Sequence, residues 1–207
     1  MSEILEAIKK AREVSKKRNF EQTFDLIVNL KSIDLKKPEN RINEIVELPY
    51  GTGREVKVVI ISDEIKNLDG AEIISSKEIE ELAKNKRLAK KIAKDTDFFV
   101  ADPKLMPIVA KNLGKFLAPR GKTPRPIVGD VKRMVESLKK SVRIRIKDNP
   151  AIQCAVGIES MKDEEIEANV IKILKFLEEK LPKGKANIKN VIIKLTMGKP
   201  IKMEVKK

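Results

Sequence analysis

The sequence predicts an α+β domain built from both ends of the chain, an antiparallel sheet with two helices, interrupted by an inserted α/β domain. Three observations point there. Strands with alternating apolar and polar residues occur near both ends, while the middle alternates continuous β-branched strands with helices. Neither flank has enough strands to close a sheet alone. The economical division is residues 1–51 with 142–207 as one discontinuous domain and 52–141 as the insertion.

Each element follows from its spacing. Ser2 caps a helix over 2–17, in which Ile4, Ile8, Ala11 and Ser15 recur at 3.6-residue intervals beside Leu5 and Val14. After Asn19 the period becomes two. Phe20, Phe24, Leu26, Val28 and Leu30 share one strand face, and Thr23, Asp25 and Asn29 the other. Residues 34–40 read as a loop, and 41–48 as a strand with Ile42, Val46 and Leu48 on its apolar side. Pro49-Tyr50-Gly51-Thr52-Gly53 breaks that pattern.

VKVVII, residues 56–61, has the composition of a strand covered on both faces. A short helical piece over 63–68 and a strand over 71–74 follow. Residues 76–94 are helical, but the apolar phase slips at Asn85, which gives two helices, one on Ile79, Leu82 and Ala83, the next on Leu88, Ala89, Ile92 and Ala93. A buried strand over 98–101, a helix over 104–112, a Pro/Gly-rich loop over 117–129 and a helix capped by Asp130 complete the insertion. This alternation argues for an open, mainly parallel sheet in a Rossmann-like three-layer arrangement.

From Ser141 the two-residue period returns. Val142, Ile144 and Ile146 oppose Arg143, Arg145 and Lys147, and Asp148-Asn149-Pro150 turns the chain into a strand over 152–156, giving a hairpin with three cations on one face. Residues 163–181 form the clearest helix, with Ile166, Val170, Ile173, Leu174, Leu177 and Leu181 as its stripe. Asp163, Glu164 and Glu165 crowd its first turn and Lys180 its last, and Pro182 stops it. The chain closes with a hairpin: a strand over 191–195, the turn Thr196-Met197-Gly198, and a strand in which Ile201, Met203 and Val205 alternate with charges.

Composition narrows the function. Among 207 residues, Lys+Arg number 45 and Asp+Glu 31, a net charge of +14. Ten cations face nine anions in 1–51, twenty face thirteen in 52–141, and fifteen face nine in 142–207, so both domains are basic. Such an excess suggests nucleic acid as partner. A solvated, thermophile-like surface accounts for the amount of charge but not for its sign. One cysteine, Cys154, and no histidine exclude a disulfide scaffold, Cys/His metal sites and histidine acid–base chemistry. No cofactor is expected. The opening helix is not a signal peptide and no run is long enough to span a membrane, so a cytoplasmic protein is expected.

Several motifs have two readings. Thr196-Met197-Gly198 is a turn in which Gly198 serves a positive φ, but a thioether at an exposed tip wastes apolar surface unless it packs on a sugar or base. Phe20 follows Lys16-Lys17-Arg18 and reads as a core aromatic at a strand end. For Arg143, Arg145 and Lys147, phosphate contact and plain solvation both account for the row. Lys84, Lys86, Arg87, Lys90, Lys91 and Lys94 read as a solvated helix surface. Asp95, Asp97 and Asp102 read as turn and cap residues, and Cys154 as a small core residue. An α/β enzyme with a nucleotide-like ligand in the insertion is the competing class, but no GxGxxG or Walker pattern follows its first strand. The third class is a general basic nucleic-acid protein.

Taken together, these residues resemble the large-subunit ribosomal protein family of the mobile stalk beside the tRNA exit site, the L-one family. The carriers are Leu48-Pro49-Tyr50-Gly51-Thr52-Gly53, Phe116-Leu117-Ala118-Pro119-Arg120-Gly121-Lys122-Thr123-Pro124 and Lys194-Leu195-Thr196-Met197-Gly198, in that order, and the resemblance covers essentially the whole chain. The loop LAPRGKTP and the lack of an N-terminal extension resemble archaeal members. The resemblance implies a protein of the cytoplasmic ribosome, monomeric within it, that binds a helical element of large-subunit rRNA and a similar element in its own mRNA, repressing translation. It also implies help with release of deacylated tRNA, with exit-site tRNA as a further partner. The implied contact residues are Arg18, Phe20, Glu21, Thr23, Arg145, Lys147, Asp148, Thr196, Met197 and Gly198. Asn19 stands where relatives often carry Lys, which leaves that phosphate contact to Arg18 or to none. Ala118 replaces a common Gly in the loop. The insertion is expected to move about its two crossovers, at Gly51 and Gly53 and at Lys140 and Ser141.

Overall fold

Alternate residues along Thr23–Leu30 (β1) are buried, with Phe24, Leu26, Val28 and Leu30 facing the core. A strand half wet and half dry needs partners on both edges and a cover on one face. The computed structural model describes residues 3–37, 40–65, 68, 70–146 and 149–203. In it β1 lies between Ala151–Ile158 (β8) and Ile188–Leu195 (β9), antiparallel to both, and Ile201–Met203 (β10) pairs with β9, giving the order β10-β9-β1-β8.

Two helices supply the cover. Glu3–Val14 (α1) buries Ala7, Ile8 and Ala11, and Asp163–Lys180 (α6) buries Ile166, Val170, Ile173, Leu174 and Leu177. These join Phe24, Leu26, Val28, Val191 and Ile193 in one core. Burying each large aliphatic or aromatic side chain contributes about 1.5–3 kcal/mol. Asn43–Glu47 (β2) pairs antiparallel with Ser141–Arg145 (β7) as a separate two-stranded ribbon, and Ile42, Val46, Leu48, Ile144 and Ile146 join the same core.

The second unit is parallel. Val58–Ile61 (β3) pairs with Glu72–Ile74 (β4) and Phe98–Ala101 (β5), and β5 pairs with Arg125–Pro126 (β6), giving the order β4-β3-β5-β6. All residues of β3 and β5 are buried, so both faces are covered. Ser76–Lys84 (α2), Lys86–Asp95 (α3) and Met106–Leu117 (α4) pack on Val59, Ile61, Phe99 and Ala101. Val131–Lys139 (α5) lies against β3 with Val135 and Leu138 buried. Asn85 ends α2 and caps α3, its side chain accepting from Arg87 N and Leu88 N, which explains the phase slip. The chain divides into compact units Met1–Arg54 with Lys140–Lys207, and Glu55–Lys139.

Some expectations change. α1 stops at Val14, not near residue 17, because Val14 is exposed and the next residues have nothing to bury; its expected cap, Ser2, lies outside the described residues. The cationic hairpin is not one: β7 pairs with β2, since Ile144 and Ile146 fill the core beside Ile42 and Val46, while β8 pairs with β1. Residues 63–65 are not helical, and the rest of that expected piece falls largely outside the described residues, as does Val205. α4 runs on to Leu117 because Leu113, Phe116 and Leu117 continue its buried stripe.

Asn169 on α6 secures the departure of the chain from β2. Its fully buried side chain donates Nδ2 to Gly51 O at 2.7 Å and Val156 O at 2.8 Å, and its Oδ1 accepts from Tyr50 N at 3.2 Å. Gly51 and Gly53 both hold a positive φ, 65° and 72°, which L side chains resist. Asn169→Leu is expected to strand these three backbone groups and destabilise the first unit by about 2–4 kcal/mol. Urea unfolding followed by circular dichroism checks this; a loss under about 0.5 kcal/mol would show that other partners take over.

Candidate nucleic-acid interface

The turn between β9 and β10 sits at the Thr23 end of β1. Thr196 N donates to Thr23 O at 3.0 Å. The Thr196 hydroxyl also donates to Thr23 O and accepts from Thr23 N, both at 3.2 Å. A hydroxyl has one proton and two lone pairs, so Thr196 keeps only acceptor capacity for a ligand. Met197 is 59% exposed and Phe20 53% exposed. Phe20 is therefore not a core aromatic: it precedes β1, in a segment where residues 16–21 are all exposed, Arg18 and Glu21 among them. Gly198 is not in the left-handed region. A Cβ there would be tight rather than excluded, 3.2 Å from Leu195 Cβ and 3.4 Å from Ser15 Oγ.

Behind this exposed rim is a buried polar frame. Gln22, fully buried, bonds to Met197 N, Ser15 and Glu159. Arg12 on α1 binds Asp163 Oδ1 at 2.8 Å and the carbonyls of Glu159 and Met161, with its guanidinium 5.0 Å from the Phe24 ring centroid. The sequence reading missed Gln22, Glu159 and Arg12. A signal for Gln22 existed, as it occupies the inward parity of Phe24 and Leu26, where a polar residue needs a reason.

Arg145 does not lie with the turn. It is half-buried at the end of β7, opposite Asn43, and the chain from it leads to Pro150, whose O accepts from Leu30 N at 2.8 Å. Leu30 is the far end of β1, roughly 24 Å from Thr23 at about 3.4 Å per residue. Lys147 and Asp148 lie outside the described residues. The structure thus brings Phe20, Glu21, Thr23, Thr196, Met197 and Gly198 to one end of the sheet and leads Arg145 toward the other. Between these ends runs the uncovered sheet face. Asp25 stands opposite Lys194 and Ala155, Ile27 opposite Ile192 and Gln153, and Asn29 opposite Asn190, with their side chains bonded at 2.7 Å.

Gly51 and Ser141 are buried, Ser141 pairs with Glu47, and Lys140 O accepts from Leu48 N at 3.0 Å. In the second unit Lys86, Arg87, Lys90, Lys91 and Lys94 are exposed along α3. Cys154 is buried, and burial with the nearby Asp25 charge pushes its thiol up to about 12, so it is not a nucleophile. Among the described residues no group of His, Cys, Asp and Glu could hold a metal, and no helix is long and apolar enough to cross a membrane.

The family model described as "Ribosomal protein L1p/L10e family" matches residues 8–199. The large ribosomal subunit protein uL1 of Pyrococcus abyssi is 45% identical over 97% of this chain and 95% of its own length. The protein of that name from Methanocaldococcus jannaschii is 45% identical over 99% and 96%, and that from Methanobrevibacter smithii 44% over 95% and 96%.

Asp25 carries a testable charge effect. Burial raises its carboxyl above the usual aspartate range, and Lys194 opposes this without cancelling it. A raised folded-state value means the folded protein holds the proton more tightly. The stabilisation is full below the unfolded value and is lost as pH rises through the folded one. Asp25→Asn is therefore expected to melt higher than wild type at neutral pH, with the gap closing near about pH 3. Thermal melts across that range check it, and a lower melting point at neutral pH would show that Lys194 pairing dominates.

Proposed function

The chain belongs to the ribosomal protein L1p/L10e family, and on that premise we propose that its first unit recognises a specific helical element of large-subunit rRNA through the Thr23 end of its sheet. The role is structural, not enzymatic: a constituent of the large subunit of the cytoplasmic ribosome, bound to its rRNA. The observation that carries the RNA reading is the exposed Met197 on a turn fixed by hydrogen bonds to two consecutive residues, Gln22 and Thr23. An apolar side chain held in water on a rigid mount is suited to pack against a ribose or base.

Recognition of this kind reads shape. A-form RNA presents 2′-hydroxyls across a shallow minor groove. Thr196 Oγ1, its proton already given to Thr23 O, would accept from a 2′-hydroxyl, while Met197 and Phe20 pack on sugars. The sheet face beyond, with Lys194 and the Asn29–Asn190 pair, gives a helix a path toward the end of the sheet to which Arg145 leads; Lys147 and Asp148, implied by the family resemblance, lie outside the described residues. Lysine and arginine then add the salt-dependent part. The same surface would take a similar element in the protein's own mRNA, which gives autogenous repression. The cations along α3 would reach further RNA or exit-site tRNA and aid release of deacylated tRNA. Hinge motion of the insertion would fall at the two crossovers, at Gly51 and Gly53 and at Lys140 and Ser141, next to the division between the units.

Two experiments test this. Full-length chain is titrated with the stalk rRNA helix, the mRNA element and a random duplex. The first two are expected to compete with each other and far outbind the third, and Thr196→Ala or Met197→Ala to weaken them by about 1–3 kcal/mol without unfolding. Equal affinity for all three would leave only a general basic protein. In the second, Arg54 is joined to Lys140 by a short linker; a Cβ on Gly51 would stand 3.5 Å from Lys140 Cα, so the ends are close. This shortened chain is expected to fold and keep specific binding. Specific binding lost from a folded product would move the site off the first unit.

A further inference from the structure

We infer that Gln22 is a positioning residue for the RNA-facing turn: its buried amide holds the Met197 backbone against the end of α1 and so sets where the Met197 side chain stands. This rests on the reading of the turn as an RNA contact. Thr196 is fixed by its bonds to Thr23, but Met197 lies one residue beyond that ladder. The hydrogen-bond partner of its N–H is Gln22 Oε1, at 3.2 Å.

The orientation of the amide is forced. Met197 N–H can only donate, so it must face Oε1, which leaves Nε2 to donate to Ser15 Oγ at 3.3 Å. The Gln22 main chain is itself anchored. Its N donates to Glu159 Oε2 at 3.4 Å, and its O accepts from Glu159 N at 2.8 Å. Glu159 O in turn accepts from Arg12 Nη1. Gly198 lies against the same closure: a Cβ there would come within 3.4 Å of Oγ of Ser15, the residue that Gln22 grips. A buried amide without partners would be costly; this one uses both its heteroatoms to join three chain segments. Asparagine would fall one methylene short. Methionine would fill the space but bond to nothing.

The physical benefit is pre-organisation. A methionine side chain is flexible, so its backbone must be fixed if ordering on RNA is not to cost affinity. Removing the Gln22 amide should therefore weaken RNA binding only as far as Met197 takes part in it.

The test is a double-mutant cycle in the full chain, with the stalk rRNA helix as probe. Gln22→Met is expected to weaken specific binding about tenfold, with random-duplex affinity and the salt slope unchanged. In a Met197→Ala background the same change should cost under about threefold. Hydrogen exchange at the Met197 amide should quicken about tenfold, while the Thr196 amide, bonded to Thr23, keeps its rate. Ser15→Ala removes only the acceptor for Nε2 and should act in the same direction more mildly, which covers failure of the Gln22 variant to fold. Equal losses in both backgrounds, or unaltered Met197 exchange, overturn the positioning role while Met197→Ala still weakens binding. If Met197→Ala changes nothing, the RNA reading of the turn falls and this inference with it.

Discussion

Strand β1 is hydrogen-bonded along both edges by strands from the far end of the chain, and the rest of the first unit depends on that pairing. Thr23 and Thr196, which bond to each other, are 173 residues apart. Without β8 and β9, β1 would show two open edges and an apolar face with no complete core. Closing so long a gap costs chain entropy that grows only with the logarithm of its length. A unit that folds by itself within the gap adds little to that cost. The parallel sheet of the second unit, with its own core around Val59, Ile61, Phe99 and Ala101, fits this requirement. It also explains why Asn169 bonds to Tyr50 and Gly51: the exit from the first unit must be held where the return at Lys140 can meet it.

The same pairing assembles the interface from the middle outward. Phe20 and Glu21 come from the approach to β1, and Thr196 to Gly198 from the turn after β9. They are neighbours only because Phe24 pairs with Leu195. A one-residue slip of that register would turn Phe24 and Leu26 to solvent, so the apolar core itself enforces the alignment of the exposed rim proposed to meet RNA. Any specificity of the proposed contact would in this sense be inherited from packing beneath it.

Periodicity made most elements legible. The alternation in β1, the unbroken apolar run in β3 and the phase slip at Asn85 each have one physical cause visible in the residues themselves. Pairing was less legible. Val142, Ile144 and Ile146 alternate whether β7 pairs with β8 or with β2, and only the shared core with Ile42 and Val46 decides it. Phe20 was misread because parity carries no mark of where a strand begins; the polar run before Thr23 ends it, and the ring is left in water. Met197 and Thr196 were singled out by their type in a turn. Arg12 was not, since its partners, Glu159, Met161 and Asp163, lie more than 140 residues away; Gln22 was passed over although its inward parity marked it. The separation of Arg145 from the turn was equally invisible, because sequence gives the face on which a residue lies but not which end of the sheet its strand reaches.

Charge and geometry divide the work of recognition. The net charge of +14 acts over roughly 8 Å at physiological salt, enough to gather RNA to either unit but without a preferred register. Exposed lysines such as those on α3 keep long, mobile side chains, and each gives little when pinned. A turn whose backbone is bonded to Thr23 and Gln22 behaves differently. It has already lost its freedom, so in the proposed contact its few atoms would discriminate by fit. Thr196 would sharpen this, for while its single proton is given to Thr23 O it has none to offer a phosphate, which brings only acceptors. It can only receive a hydrogen bond, and the 2′-hydroxyl, a donor found along every RNA backbone and absent from DNA, is suited to give one.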